Sequence, residues 1–288
     1  MQRKSQLISS QDSKELKNNS NRFRTFFKII TGLLAFVIFI LIILYNIGND
    51  NEDINNHSVL SPSLQNEIAK SVVNIFCPST KSDDEHGGGS GTIVNEEGLI
   101  LTNSHIIPQD EEHLHVDEFG CMVVLPDPKT GLPDEVYLAH PITIPELSHK
   151  YDLAYLQIYS AFYDEEEETE LGVYPRVFPV FDDTERCRDE SIQLGEFVRI
   201  FGYPDISGGH SLTITDGIVS NFTSDWLIMT SAKVSHGNSG GLAVDKYGCM
   251  LGVPSRVSSD EMESLGIIIP IHLIREFNNK VDKYLNSL

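Results

Sequence analysis

Hydrophobic residues are spaced in three different ways along this chain. From Ile29 to Ile47 they run almost without interruption, and no charge occurs between Lys28 and Asp50. Nineteen residues at about 1.5 Å each span about 28 Å, close to a bilayer's hydrocarbon core. The pattern predicts a transmembrane helix over 29–47. A cleaved signal peptide is the rival reading, but its apolar region should be shorter and end in a small-residue cleavage site. This run ends in Leu44, Tyr45, Asn46, Ile47 and Gly48.

Beyond the apolar run, residues 48–60 are polar and read as a linker. Ser61 followed by Pro62 signals a helix start, and a short helix through Lys70 leads into a strand-like run, Ser71–Cys77. Short β-type segments then alternate with Gly, Asp, Asn and Pro. They include 92–94, 99–102, 122–125, 153–158, 197–201, 211–214, 218–220, 226–229, 250–253 and 266–269. Many short strands with turn signals suggest a sandwich or barrel. No internal sequence repeat is evident. At the end, Leu273, Ile274, Phe277, Val281, Tyr284, Leu285 and Leu288 recur at helical spacing, predicting an amphipathic helix over 273–288.

Charge refines this division. The 288 residues carry a net −21. Residues 1–28 hold seven basic and two acidic residues, +5, which leaves 14 basic and 40 acidic residues, −26, for the rest. The basic flank puts the N-terminal tail in the cytoplasm and residues 48–288 outside it. So acidic a body argues against nucleic-acid binding. Six acids in seven residues, Asp164–Glu170, read as an exposed loop. Cys77, Cys121, Cys187 and Cys249 all follow the apolar run, where disulfides are permitted; four cysteines allow three pairings. No cofactor or metal is expected. His113 and His115 form a His-x-His pair beside Glu111 and Glu112, but no third ligand has convincing spacing. His86 and Gly87–Gly89 lack the Lys-Ser/Thr partner of a phosphate loop. Asn56-His-Ser58 and Asn221-Phe-Thr223 fit the glycosylation acceptor pattern, which matters only in a eukaryotic secretory pathway.

Three segments carry the chemistry. They are Leu101–Ile106 around His105, Tyr151–Leu156 around Asp152, and His236–Gly241 around Ser239. Each alone is weak. Their order, His then Asp then Ser at separations of 47 and 87 residues, is that of the chymotrypsin arrangement. The local wording resembles the Deg/HtrA branch of the trypsin-like serine peptidases. Gly89-Ser-Gly-Thr-Ile-Val94 followed by Gly98–His105 is similar to that family's strand, hairpin and histidine block. Asp152–Leu156 is similar to its aspartate strand, and Gly237-Asn-Ser-Gly-Gly241 to its nucleophile motif. Segments 194–204, 215–220, 248–252 and 265–270 resemble its remaining signatures, so the likeness runs from about Ser61 to the C-terminus.

The resemblance implies an all-β fold of two packed six-stranded antiparallel barrels, near 67–160 and 176–272, with the terminal helix and a preceding membrane helix. It implies a serine endopeptidase in which Ser239 is the nucleophile, His105 its base and Asp152 the group that orients the imidazole. The N–H groups of Gly237 and Ser239 would form the oxyanion hole. The substrate pocket would be bounded near Lys233 and by Val253, Pro254 and Ser255. Lys233 stands where the family has a small apolar residue. It either points into the pocket and favours an acidic P1 residue, or points to solvent and leaves the family's preference for small aliphatic P1 residues; the second is better supported. Expected partners are protein or peptide substrates, unfolded ones included, and the membrane. A homotrimer, common in the family, has no support in this sequence. Many members carry PDZ domains after the protease, whereas the roughly 50 residues after Ser239 are filled by strands and a helix, so none is expected here. The rival reading is an inactive, protease-like binding or scaffold module.

Overall fold

The computed structural model describes residues 60–287, apart from 82–85, 110–113, 117, 183–186, 188–191 and 258–264. The apolar segment 29–47, the basic tail, most of the linker, the Asn56 acceptor pattern and His113 lie outside the described residues. Among the described residues no helix is long and apolar enough to cross a membrane.

Helix α1 (Pro62–Ser71) begins as its sequence dictates. Ser61 is the N-cap, its hydroxyl accepting from the Leu64 N–H at 3.2 Å, and Pro62 takes the first helical position. Leu64 and Ile68 are buried on one face, and they pack with Phe201, Leu242 and Val244. At Val72 the backbone turns extended and β1 starts at once.

The first barrel is built from β1 (Val72–Pro78), β2 (His86–Ile93), β3 (Leu99–Thr102), β4 (Cys121–Pro126), β5 (Pro133–Ile142) and β6 (Ala154–Ala161). Its closed order is β1-β2-β3-β6-β5-β4, every pairing antiparallel. Helix α2 (Pro145–Tyr151) connects β5 to β6. The second barrel comprises β9 (Phe197–Gly202), β10 (Thr213–Phe222), β11 (Ile228–Thr230), β12 (Leu242–Val244), β13 (Met250–Val257) and β14 (Gly266–Pro270). Taken from its first strand, its closed order β9-β10-β11-β14-β13-β12 repeats that of the first barrel. The structural duplication is therefore complete in topology although no repeat survives in the sequence.

Each barrel has its own apolar interior. Val73, Ile75, Ile93, Ile100, Tyr137 and Leu156 fill the first; Val198, Ile200, Val219, Ile228 and Ile268 fill the second. Helix α3 (Ile271–Leu285) lies against both, burying Ile274, Phe277 and Val281 beside Leu101 and Leu153 of the first barrel and Val253 and Ile269 of the second. Tyr284 and Leu285 are 47% and 54% exposed, so the buried stripe ends at Val281, short of its sequence pattern.

Three other features differ from the sequence expectation. The acid-rich segment is a small hairpin, β7 (Tyr163–Asp164) with β8 (Thr169–Glu170), not an open loop. Asp164 Oδ1 accepts from the N–H groups of Glu166 (2.9 Å) and Glu167 (3.2 Å), so the first acid shapes the turn that exposes the next four. Strand β10 is one ten-residue strand with an irregular register at Val219–Asn221, where the sequence suggested two pieces. Strand β5 and helix α2 were not evident, because β5 buries only Tyr137 and Ala139.

Both disulfides are formed within this body. Cys77–Cys121 ties the end of β1 to the start of β4, and Cys187–Cys249 ties the segment before β9 to the turn before β13.

Candidate active site

His105 follows β3 in a single 3-10 turn, Ser104–Ile106. Its ring is held by Asp152: Nδ1 lies 2.9 Å from both carboxylate oxygens. An ionised carboxylate only accepts, so Nδ1 is the donor.

Asp152 caps the C-terminus of α2 in a left-handed conformation, φ 53° and ψ 41°. Several groups hold it there. Asn103 Nδ2 donates to its carbonyl at 2.7 Å, and the His105 backbone N–H reaches Oδ1 at 3.2 Å. The Ser104 hydroxyl lies 3.2 Å from Oδ1 and 3.0 Å from the Ser148 carbonyl. The Ser255 hydroxyl donates to Oδ2 at 2.7 Å. Burial alone would raise the Asp152 carboxyl. The hydrogen bonds and charge of His105, with the Ser255 hydroxyl, outweigh burial and hold it below its ordinary value.

Ser239 is 8% exposed, on the tight loop leading into β12. Its hydroxyl donates to the Ser255 carbonyl, and no hydrogen bond joins it to His105. The structure thus pairs His105 with Asp152 and links Ser239 to that pair through Ser255, the Ser239 hydroxyl being turned to the Ser255 carbonyl. Such contacts commonly tighten only when substrate arrives.

The loop backbone is arranged for an anion. The His236 carbonyl accepts from the Asp205 N–H at 2.9 Å. The two polar groups of a peptide unit point in opposite directions, so the Gly237 N–H points away from Asp205. Among the described residues, neither it nor the Ser239 N–H has a hydrogen-bond partner. Gly237 and Gly240 have φ of 90° and 82°, and a Cβ on either would strike backbone oxygen, Tyr203 O at 2.2 Å or Ser90 O at 2.1 Å. Only glycine serves at both.

The pocket residues divide. Lys233 is exposed, with its carbonyl accepting from Thr215 Oγ1 at 2.9 Å. Val253 is fully buried in the cluster beneath α3, so it backs the wall instead of lining an opening. The Pro254 carbonyl accepts from the Gly240 N–H at 2.9 Å. Ser255 belongs with the His105–Asp152 pair, touching Asp152 through its side chain and Ser239 through its carbonyl. Sequence reasoning missed the roles of Asn103, Ser104 and Asp205. The one available signal was that Asn103 and Ser104 are small polar residues beside His105 in an otherwise apolar run.

Comparison with known proteins agrees with this geometry. The trypsin-like peptidase domain family matches residues 89–253. Mouse serine protease HTRA4 is 29% identical over 230 residues, which cover 73% of this chain and 38% of that protein. A probable periplasmic serine endoprotease, DegP-like, from Brucella suis is 28% identical over 193 residues, 64% of this chain and 30% of that one. The chain thus spans well under half the length of these curated relatives. A solved serine endoprotease from Yersinia pestis superposes with a TM-score of 0.54 at 25% identity, covering 76% of this chain and 66% of its own. The chain belongs to the trypsin-like peptidase domain family, and its relatives there include serine proteases of the HtrA and DegP type.

Proposed function

We propose that this chain is a serine endopeptidase that cleaves peptide bonds through Ser239, His105 and Asp152. The observation that carries the reading is His105 Nδ1 set 2.9 Å from both oxygens of a carboxylate that is itself fully hydrogen-bonded. A serine hydroxyl is a weak nucleophile until a base takes its proton. Rotation of the Ser239 side chain away from the Ser255 carbonyl brings Oγ toward His105 Nε2. Oγ then attacks the scissile carbonyl carbon as its proton passes to Nε2. Asp152 stabilises the imidazolium without accepting its proton. The new oxyanion is received by the N–H groups of Gly237 and Ser239, each worth about 3–4 kcal/mol in comparable sites. His105 returns the proton to the leaving amine, and a water molecule repeats the sequence to release the acyl group.

The segment 29–47 anchors the protein as a single-pass membrane protein with its N-terminus in the cytoplasm and the protease body outside. The asymmetry of charge about that segment supports this orientation. Two disulfides support an oxidising compartment for the body. In that setting the substrates are extracytoplasmic proteins, unfolded ones included, and the role is quality control or regulated proteolysis. Identification of cleavage products from extracytoplasmic proteins, wild type against Ser239→Ala, tests this. The reading predicts new termini that vanish with Ser239→Ala, a loss of at least about 10⁴-fold in rate. Identical product sets from the two proteins would leave a binding or scaffold module as the function.

A further inference from the structure

Ser90 lies in β2 of the first barrel and is completely buried. A buried hydroxyl in a strand must find partners, and this one finds them in the other barrel. Its Oγ donates to the Gly237 carbonyl at 2.6 Å and accepts from the Tyr203 N–H at 2.9 Å. Its backbone N–H donates to the Ser239 carbonyl at 2.8 Å. Its own carbonyl accepts from Thr102 Oγ1 at 2.7 Å, fixing Ser90 to β3 from behind. One residue therefore holds two carbonyls of the nucleophile loop, those on either side of Asn238.

These contacts settle peptide planes. The Asp205 N–H fixes the plane between His236 and Gly237. Ser90 Oγ fixes the next, between Gly237 and Asn238, and the Ser90 N–H fixes the plane that follows Ser239. The Asn238–Ser239 plane, which carries the Ser239 N–H, is held by the Gly241 N–H on the Asn238 carbonyl at 3.1 Å and lies between pinned neighbours. The space is tight: a Cβ on Gly202 would lie 3.0 Å from Ser90 Oγ, and one on Gly241 3.3 Å from Ser90 Cβ. The pocket accepts a hydroxyl and little more.

We infer that Ser90 is a positioning residue for the reaction: its hydroxyl holds the Gly237–Ser239 loop so that both free N–H groups converge where the oxyanion forms. The inference rests on the serine-peptidase reading above. Ser90 does not touch the His105–Asp152 pair, so its loss should weaken transition-state binding and spare both that pair and ground-state binding.

The test uses the full chain and Ser90→Ala, which removes the hydroxyl and keeps the backbone N–H pin. The expected result is a fall in kcat of about 10- to 100-fold with KM within about 2-fold. Affinity for a peptide boronate, which forms a tetrahedral adduct, should fall in proportion. The low-field proton resonance of His105 Nδ1 should stay in place. Ser90→Gly also removes the hydroxyl, adds no volume to this tight space and should lower kcat at least as much; it carries the test if Ser90→Ala does not fold. Unchanged kcat and boronate affinity in a folded variant, beside a wild type that reacts with a fluorophosphonate, overturns the role of Ser90 alone. A shifted low-field resonance with KM raised as much as kcat is lowered does so too. A folded wild type that neither reacts nor cleaves overturns the peptidase reading, and the role of Ser90 in it.

Discussion

Asp152 adopts a backbone conformation that costs a non-glycine residue about 1–2 kcal/mol. The cost is offset by a hydrogen bond from Asn103 to its backbone carbonyl and by bonds from Ser104, His105 and Ser255 that leave its carboxylate few directions in which to move. A carboxyl lowered in the folded state contributes stability that is fully present above its ordinary range and is lost as pH falls through the folded value. Ser255→Ala removes one donor from the charged form, so the Asp152 carboxyl should rise. A hydrogen bond to a charged group is worth about 1.5–3 kcal/mol. A steady-state assay should therefore show kcat/KM reduced about 10- to 150-fold, with the protein's acid unfolding midpoint moved to higher pH. An unchanged kcat/KM would remove Ser255 from the charged network. The contact between His105 and Asp152 was legible in the sequence because each sits in a short motif and, with Ser239, the three follow a known order. The part played by Ser255 was not, since its hydroxyl reaches Asp152 across 103 residues of chain. No local pattern encodes such a contact.

At the scale of elements, helix α3 shows what periodicity reveals and what it leaves out. The spacing of Ile274, Phe277 and Val281 announced a buried face. It did not announce that this face would sit behind the residue next to Asp152. Phe277 lies 5.8 Å from the rings of both Tyr151 and Tyr155. The Tyr151 hydroxyl donates to Glu276 Oε1 at 2.6 Å, and Lys280 Nζ bonds both that hydroxyl and Glu276, the latter at 2.8 Å. Lys280 first and Tyr151 second pull the Glu276 carboxyl down to about 2. Its contribution is therefore present above the ordinary carboxylate range and fades as pH falls toward about 2. Thermal melts of Glu276→Gln and wild type should differ at neutral pH and converge across that window. Parallel curves down to pH 2 would show that the ion pair adds nothing to folding. Helix α1 was easier to read, since Ser61 and Pro62 mark its start by local chemistry alone.

For the whole molecule, the −26 of residues 29–288 includes one dense run among the described residues at the hairpin tip, Glu165–Glu168. The barrels were legible as a class from short strands and turn residues. Their closure was not, because strand order depends on pairings between distant segments, such as β3 with β6. Cysteine pairing was equally hidden. Spacing left three alternatives, and the fold selects one by bringing β1 and β4 side by side. The disulfides close 44 and 62 residues of chain, each worth about 4 kcal/mol by the chain-entropy estimate. The paired change Cys77→Ser with Cys121→Ser should lower stability to urea by about 2–4 kcal/mol. Stability equal to wild type under oxidising conditions would mean that the bond does not form in the mature protein.

The proposed function turns on the Ser239 hydroxyl, so the most direct measurement asks whether that hydroxyl is reactive. Purified protein incubated with a fluorophosphonate and read by intact mass should gain one adduct per chain. Peptide mapping should place that adduct on Ser239, and Ser239→Ala should gain none. A folded wild type that gains no adduct, or an adduct that persists in Ser239→Ala, would contradict the account.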